Sequence, residues 1–165
     1  MASEPSKTPT RLPDWERRLQ ALIGRSERRA FAWGAFDCCT FAADAVLAQT
    51  GADLLGELRG TWDTQVGALR VVRGLTAAGF GAAMARVVLD AGLEEIPLPK
   101  AMRGDLVLVH SGEARWTRAA AIVQGTHAVG PTAGTGLVSV ARERWVRAWH
   151  VPFGGEGSAQ AGGAG

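Results

Sequence analysis

The chain has 165 residues, of which 47% are hydrophobic and 21% are charged, and its formal net charge is +2. This length and composition fit one compact domain with a buried core, and they exclude both a disordered chain and two full domains. The basic residues are scattered, so nucleic-acid binding is not predicted. No stretch has the apolar core of a signal peptide or the length of a membrane span, so we expect no membrane insertion.

The cysteine pattern narrows the class further. Cys38 and Cys39 are the only two cysteines in the sequence and they are adjacent. A disulfide between neighbours is strained, which excludes a disulfide scaffold. The sequence contains no CxxC or HxxxH spacing, so we expect no structural zinc and no cofactor.

The two ends of the chain differ in composition from the rest. Residues 1–12 are polar and rich in Pro, Ser and Thr, whereas residues 154–165 form a Gly-rich tail. Neither segment can bury a core, so both are predicted to be flexible. The domain itself is predicted to span residues 13–153.

Two helices are predicted in the first third of the domain. The first follows Asp14 and is predicted to end at Gly24, because apolar residues recur on one face at helical spacing. The apolar positions of that face are Trp15, Leu19, Leu22 and Ile23. The second stretch, residues 38–50, is predicted to be a buried helix, with Asp37 suited to its N-cap and Gly51 to its end. This places Cys38 at its first position.

The remaining elements change character along the chain. One helix is predicted after Asp63, with Val66, Leu69 and Val72 on successive turns, and another at about residues 82–90. Strand-like blocks separated by Gly-rich turns follow Pro99. These blocks are residues 105–109, 119–124, 137–140 and 145–151. Helices followed by strands predict an α+β domain with an antiparallel sheet.

Cys38 is the residue with the clearest chemical potential. A thiol at a helix N-terminus meets the positive end of the helix dipole and free backbone N–H groups, which favour the thiolate. That is a suitable position for a nucleophile. The alternative is that the cysteine only fills the core, as free cysteines often do.

Several motifs occur together in a recognisable order. The run FAWG at residues 31–34 precedes DCCTF at 37–41, and RGDLV at 103–107 precedes AIVQG at 121–125 and RAW at 147–149. This pattern resembles the NlpC-like cysteine peptidases of the papain-like superfamily, most closely small phage-tail members of that group. The resemblance covers roughly residues 13–152. It implies an NlpC-type fold with N-terminal helices packed on a C-terminal antiparallel sheet.

The resemblance also implies roles for individual residues. Asp37, Gly104 and Asp105 match the structural motif, and Cys38 matches the nucleophile. The histidine that acts as general base in the family aligns with Ala119, which cannot accept a proton.

Other residues take secondary roles in this interpretation. Cys39 stands where active members carry Ser, and we expect it to pack about 100° away around the helix. His127 falls near the family's third polar position and is the candidate for a displaced base. His110 is expected to end a strand at the surface, and His150 to be a sheet residue.

Further residues have structural interpretations. Asp105 is expected to tie the turn before its strand, and Gly34 to supply a turn conformation. Trp33, Trp62 and Trp116 could form a platform for sugar rings or could pack in the core or at an interface. Both alternatives are open at this point.

The function implied by the resemblance is that of a virion protein. The expectation is a structural component of a phage tail tip or baseplate, assembled in the bacterial host cytoplasm, with a degenerate peptidase site. Its partners would be other tail or baseplate proteins and peptidoglycan peptides. One alternative is an active cell-wall cysteine peptidase with Cys38 as nucleophile and His127 or His110 as base. Another is a cellular protein unrelated to phage.

Overall fold

The computed structural model describes residues 7–114 and 116–155. Residues 1–6 and 156–165, which include most of the two predicted flexible ends, lie outside the described residues. Four helices precede a six-stranded antiparallel sheet, which confirms the predicted α+β class. The helices are α1 (Trp15–Ser26), α2 (Cys38–Thr50), α3 (Gln65–Leu75) and α4 (Phe80–Asp90). The strands are β1 (Glu95–Ile96), β2 (Leu106–His110), β3 (Arg118–Val123), β4 (His127–Pro131), β5 (Leu137–Ala141) and β6 (Trp145–Trp149).

The sheet has the spatial order β1-β6-β2-β3-β4-β5, and neighbouring strands run antiparallel. Alternate residues of β2 and β3 face α1 and α2 and form the main core with them. The opposite face of the sheet forms a second core under Trp145 and its neighbours. The centre of the sheet is therefore buried on both faces, while α2 lies directly over β3.

Helix α2 begins and ends where the sequence predicts. Asp37 caps its first turn, and Gly51 ends it in the left-handed conformation with φ of 82°. Phe41 and Val46 are completely buried under the sheet-facing side of the helix. The prediction of a buried helix that opens at Cys38 and packs on the C-terminal strands is confirmed.

The predicted end of α1 is wrong by two residues. The helix continues through Gly24 to Ser26, whose hydroxyl donates a hydrogen bond of 2.7 Å to the carbonyl oxygen of Leu22. Gly24 is exposed and a Cβ there would meet nothing within 4 Å. The glycine is thus a tolerated position inside the helix rather than its end, and the buried Ser26 supports the last turn.

Helix α3 also departs from its predicted packing. Val66, placed on the inner face by the sequence, has 60% of its surface exposed, and Ala68 is the buried residue of this helix. The helix does follow Asp63, and its N-cap is Thr64, whose hydroxyl accepts a hydrogen bond of 3.0 Å from the backbone N–H of Gly67. The helix is therefore rotated relative to the prediction and buries little of its surface.

The N-terminal segment contributes a core residue that the sequence does not reveal. Arg11, inside the predicted flexible segment 1–12, is buried and pairs with the carboxylate of Asp105 at 2.8 Å. Its guanidinium also stacks over the rings of Trp15 and Phe153, 4.1 and 4.6 Å from their centroids. Residues 11 and 12 are thus part of the folded domain.

The four described helices have 11 to 13 residues each. No single one of them is long and apolar enough to cross a bilayer. Helices α3 and α4, taken together across a bend of 64°, have the length and composition of a broken span.

Candidate functional site: the thiol cleft

The carboxylate of Asp37 fixes the backbone around Cys38. One of its oxygens accepts a hydrogen bond of 2.9 Å from the N–H of Thr40, and the Thr40 hydroxyl accepts one of 2.9 Å from the N–H of Asp37. The other oxygen accepts from the N–H of Gly34 at 2.8 Å and from the indole of Trp62 at 2.7 Å. Asp37 is buried, and its four hydrogen bonds connect the preceding turn, the start of α2 and the α2–α3 loop.

Gly34 is required in this arrangement. Its φ is 79°, and a Cβ at this position would lie 1.9 Å from the carbonyl oxygen of Trp62. The predicted turn role of Gly34 is confirmed, and the reason is the close approach of two backbone segments. Trp62 is buried and its indole N–H is engaged by Asp37, so this tryptophan packs inside the domain and is not a sugar platform.

The two cysteine sulfurs lie 4.0 Å apart, within hydrogen-bond range for sulfur. Donation from the Cys39 thiol is the largest cause that lowers the pKa of Cys38, and the backbone N–H of Ala120 lowers it further. Burial and the nearby Asp37 carboxylate oppose this shift. The Cys38 partner raises the pKa of Cys39 well above its ordinary value, and burial raises it further. Cys38 is therefore the thiol of the pair that ionises more readily.

This finding corrects the expected role of Cys39. The sequence predicts that its side chain points away from Cys38 and only packs. In the structure Cys39 packs against the core, as expected, but its sulfur also lies 4.0 Å from that of Cys38 and lowers the pKa of the Cys38 thiol. The sulfurs of adjacent residues can approach each other at the start of a helix, because no preceding helical turn restricts their side-chain rotamers.

A groove of about 550 Å³ opens beside Cys38, and we call it the thiol groove. The two cysteines and this groove together are called the thiol cleft. Small residues of the central strands, Ala119, Ala121 and Gly130, line it. The half-buried rings of Trp33 and Trp116 line it as well, packed edge to face with centroids 5.5 Å apart. Ala119 thus lies in the same groove as Cys38, at the position where the resemblance places a general base.

The structure does not bring His127 to the thiol. His127 begins β4 at the β3–β4 turn, where its carbonyl oxygen accepts a hydrogen bond of 2.7 Å from the N–H of Gln124. Gln124 directly follows β3 and lies five residues beyond Ala119 in the sequence, or roughly 16 Å at about 3.3 Å per residue. His127 therefore lies towards the opposite end of the sheet.

The other two histidines also have different surroundings. His110 is exposed at the end of β2 and contacts the guanidinium of Arg118. His150 contacts the Asp105 carboxylate at 3.0 Å. These three are all the histidines of the chain, and none of them lines a cavity that Cys38 lines within the described residues.

Asp105 is structural, as predicted. Its second oxygen accepts from the N–H of Met102 at 3.0 Å, which closes the turn before β2, and its first oxygen is shared by Arg11, His150 and the N–H of Val151. This network contacts the C-terminal part of α2 through Gln49, whose amide donates to the carbonyl oxygen of Gly104 at 2.9 Å. Gln49 is roughly 16 Å from Cys38 along the helix, at about 1.5 Å per residue. The His150–Asp105 pair is thus separate from the thiol cleft.

Gly104 belongs to the same structural network. Its φ is 92°, and a Cβ there would lie 2.3 Å from the side-chain oxygen of Gln49. The glycine and Asp105 together let β2 start directly against the end of α2. Gly104 and Asp105, two of the three residues of the predicted structural motif, therefore have structural roles.

Metal binding has no support from the arrangement of side chains. In the described ranges, no three His, Cys, Asp or Glu residues gather closely enough to hold a metal ion. The cysteine pair alone provides two sulfur ligands.

Comparisons with known proteins define the family of the chain. The model of a domain of unknown function, DUF6950, matches residues 10–151. The search of curated proteins gave no significant match. The matched range extends from just before Arg11 to the end of the Asp105 network, and so includes the thiol cleft. The chain belongs to the DUF6950 family.

Proposed function

We propose that the protein is a component of a phage tail tip or baseplate, and that its NlpC-like domain holds a peptide at Cys38 without cutting it. The observation that carries the proposal is that Ala119 lines the same groove as Cys38. The motif order quoted above supports the tail assignment. The helices-then-sheet architecture and the Cys38 helix start agree with an NlpC-like domain.

The chemistry of the groove favours binding over hydrolysis. Cys38 can supply a thiolate, since donors lower its pKa. Amide cleavage also requires a proton for the leaving nitrogen, and the methyl group of Ala119 cannot provide one. A positioned acid or base contributes about 10²–10⁴-fold to such a reaction, so we expect turnover to be lost.

The lining of the groove suits a peptide. Its floor of Ala119, Ala121 and Gly130 allows close backbone approach, and Arg144 and Glu113 supply opposite charges in the lining. Peptides with both amino and carboxyl groups, as in cell-wall stem peptides, match this combination of a small-residue floor and mixed charge.

The binding part of the proposal is tested by co-sedimentation with purified peptidoglycan. We expect the natural protein to co-sediment, and Ala119→Phe to lose this property because the new ring occupies the groove. Val66→Phe, an enlargement at an exposed helix position, is the matched control and should bind normally. Equal binding by all three proteins would contradict the assignment of the groove.

The tail part of the proposal is tested separately by mass spectrometry of purified phage particles. We expect peptides of this chain among the tail proteins. Their absence from intact particles would contradict the structural assignment and favour a cellular protein.

An active cell-wall peptidase is the second candidate. The lowered pKa of Cys38 favours it, because a thiolate is the species that attacks a carbonyl carbon. The positions of the three histidines argue against it. The cleavage assay described at the end of the Discussion distinguishes the two candidates.

A further inference from the structure

Cys38 and Cys39 also line a second cavity, which we call the helix cavity. It is partly open, lies among α2, α3 and α4, and has a volume of about 90 Å³. Its walls are almost entirely apolar. Representative wall residues are Ala43, Leu58, Val72, Leu75, Phe80 and Met84.

The helix cavity offers little to water. Asp37 is the charged residue in its lining, and both of its carboxylate oxygens already accept hydrogen bonds from protein donors. The indole N–H of Trp62, another wall residue, is one of those donors. A buried water needs about two to four polar partners, whereas an apolar cavity of about 150 Å³ can stay dry and bind benzene or xenon. The lining therefore selects an apolar guest.

The wall formed by α3 is well suited to close on a guest. Ala68 is the buried residue of this helix, while Val72 and Leu75 are only half-buried although both line the cavity. Their remaining apolar surface would be removed from water by a molecule between α3 and the thiol pair. This burial is the driving force for binding.

We propose that the helix cavity binds a short alkyl chain and holds it against the Cys38 thiol. The site differs from the thiol groove, where the proposed peptide binds, and the inference stands independently of the proposed function. The ligand class follows from the volume and the lining: a short apolar chain fits a space of about 90 Å³ whose walls are almost entirely apolar.

The test uses alkyl methanethiosulfonates of increasing chain length as probes. The Cys38 thiolate attacks the sulfenyl sulfur, a mixed disulfide forms, the sulfur–sulfonyl bond breaks and methanesulfinate leaves. We expect the rate constant to rise from the methyl to the butyl reagent by up to about fourfold per added methylene, the factor for full burial. Peptide mapping should locate the adduct on Cys38, and Cys38→Ser should remove the chain-length effect.

Two variants that fill the helix cavity locate the effect. Ala68→Leu and Ala83→Leu add the same atoms to its α3 and α4 walls, and each should flatten the dependence on chain length. Ala21→Leu, at an exposed position of α1 outside the cavity, is the matched control and should keep it.

A competition experiment on the natural protein removes any dependence on the folding of these variants. We expect 1-hexanol to slow the butyl reagent more than the methyl reagent, because only the butyl chain gains from the cavity that hexanol fills. Equal rate constants for all chain lengths, or a butyl rate unaffected by hexanol, would overturn the proposal.

Discussion

At the scale of single residues, the cysteine pair determines the reactivity of the cleft. Donation from the Cys39 thiol is the main reason that the pKa of Cys38 falls below its ordinary value of 9.0. Below the Cys38 pKa the thiol is protonated and unreactive, and above it the thiolate reacts. The rate of alkylation should therefore rise with pH around a midpoint lower than that of an ordinary thiol.

Cys39→Ala should move this midpoint upwards, because it removes the donor to the Cys38 thiolate. The measurement is the iodoacetamide rate at a series of pH values, with the product assigned to Cys38 by peptide mapping. A midpoint that stays unchanged or falls in Cys39→Ala would show that the pair is not coupled as described.

Sequence patterns predict the position of Cys38 but not its contact with Cys39. The Asp37 and Gly51 signals are local, so they predict both ends of α2 and hence the position of Cys38. The contact between the Cys38 and Cys39 sulfurs depends on side-chain rotamers, which helical spacing alone does not specify. The resemblance aligns Ala119 with the general base. Whether Ala119 lies near Cys38 depends on how β3 packs against α2, which sequence patterns do not specify.

At the scale of elements, the capping of α2 holds the cleft together. Asp37→Ala leaves the N–H groups of Gly34 and Thr40 and the indole of Trp62 without their acceptor. We expect a loss of about 2–4 kcal/mol in the free energy of unfolding, measured by urea denaturation. Thr64→Ala removes the exposed cap of α3 and should cost only about 0.5–1 kcal/mol. Equal losses in the two variants would contradict the special role of Asp37.

Strands β1 and β4 are absent from the sequence prediction because each has a weak local strand signal. Strand β1 has only two residues, and β4 contains Gly130 and Pro131, which are typical of turns. Pairing with β3 and β5 supplies the order that local propensity does not. Without β4, sequence patterns leave His127 a candidate for a displaced base, whereas the structure places it at the start of that strand.

At the scale of the whole molecule, the Arg11–Asp105 ion pair joins the N-terminal segment to the start of β2 and the end of β6. Both side chains are fully buried, and the Arg11 guanidinium also donates to the carbonyl oxygens of Val151 and Arg103 at 2.7 and 2.8 Å. No local pattern could predict a contact between residues so distant in sequence. This is why the segment 1–12 looks flexible from its composition alone.

Removing this arginine should destabilise the whole domain. Arg11→Ala leaves a buried carboxylate without its cation, so we expect a loss of about 3–5 kcal/mol in the free energy of unfolding. Arg17→Ala, which removes an exposed guanidinium of α1, is the control and should have little effect. Unfolding is measured by urea denaturation, and a natural-like stability of Arg11→Ala would contradict the anchoring role of the segment.

Peptide release from purified peptidoglycan tests whether the thiol groove binds peptides without hydrolysing them. We expect the natural protein to release no more fragments than Cys38→Ala. If the imidazole is the only missing group, Ala119→His should release fragments slowly. Robust release by the natural protein that disappears in Cys38→Ala would contradict the claim. Loss of that release in His127→Ala or His110→Ala would then identify the base.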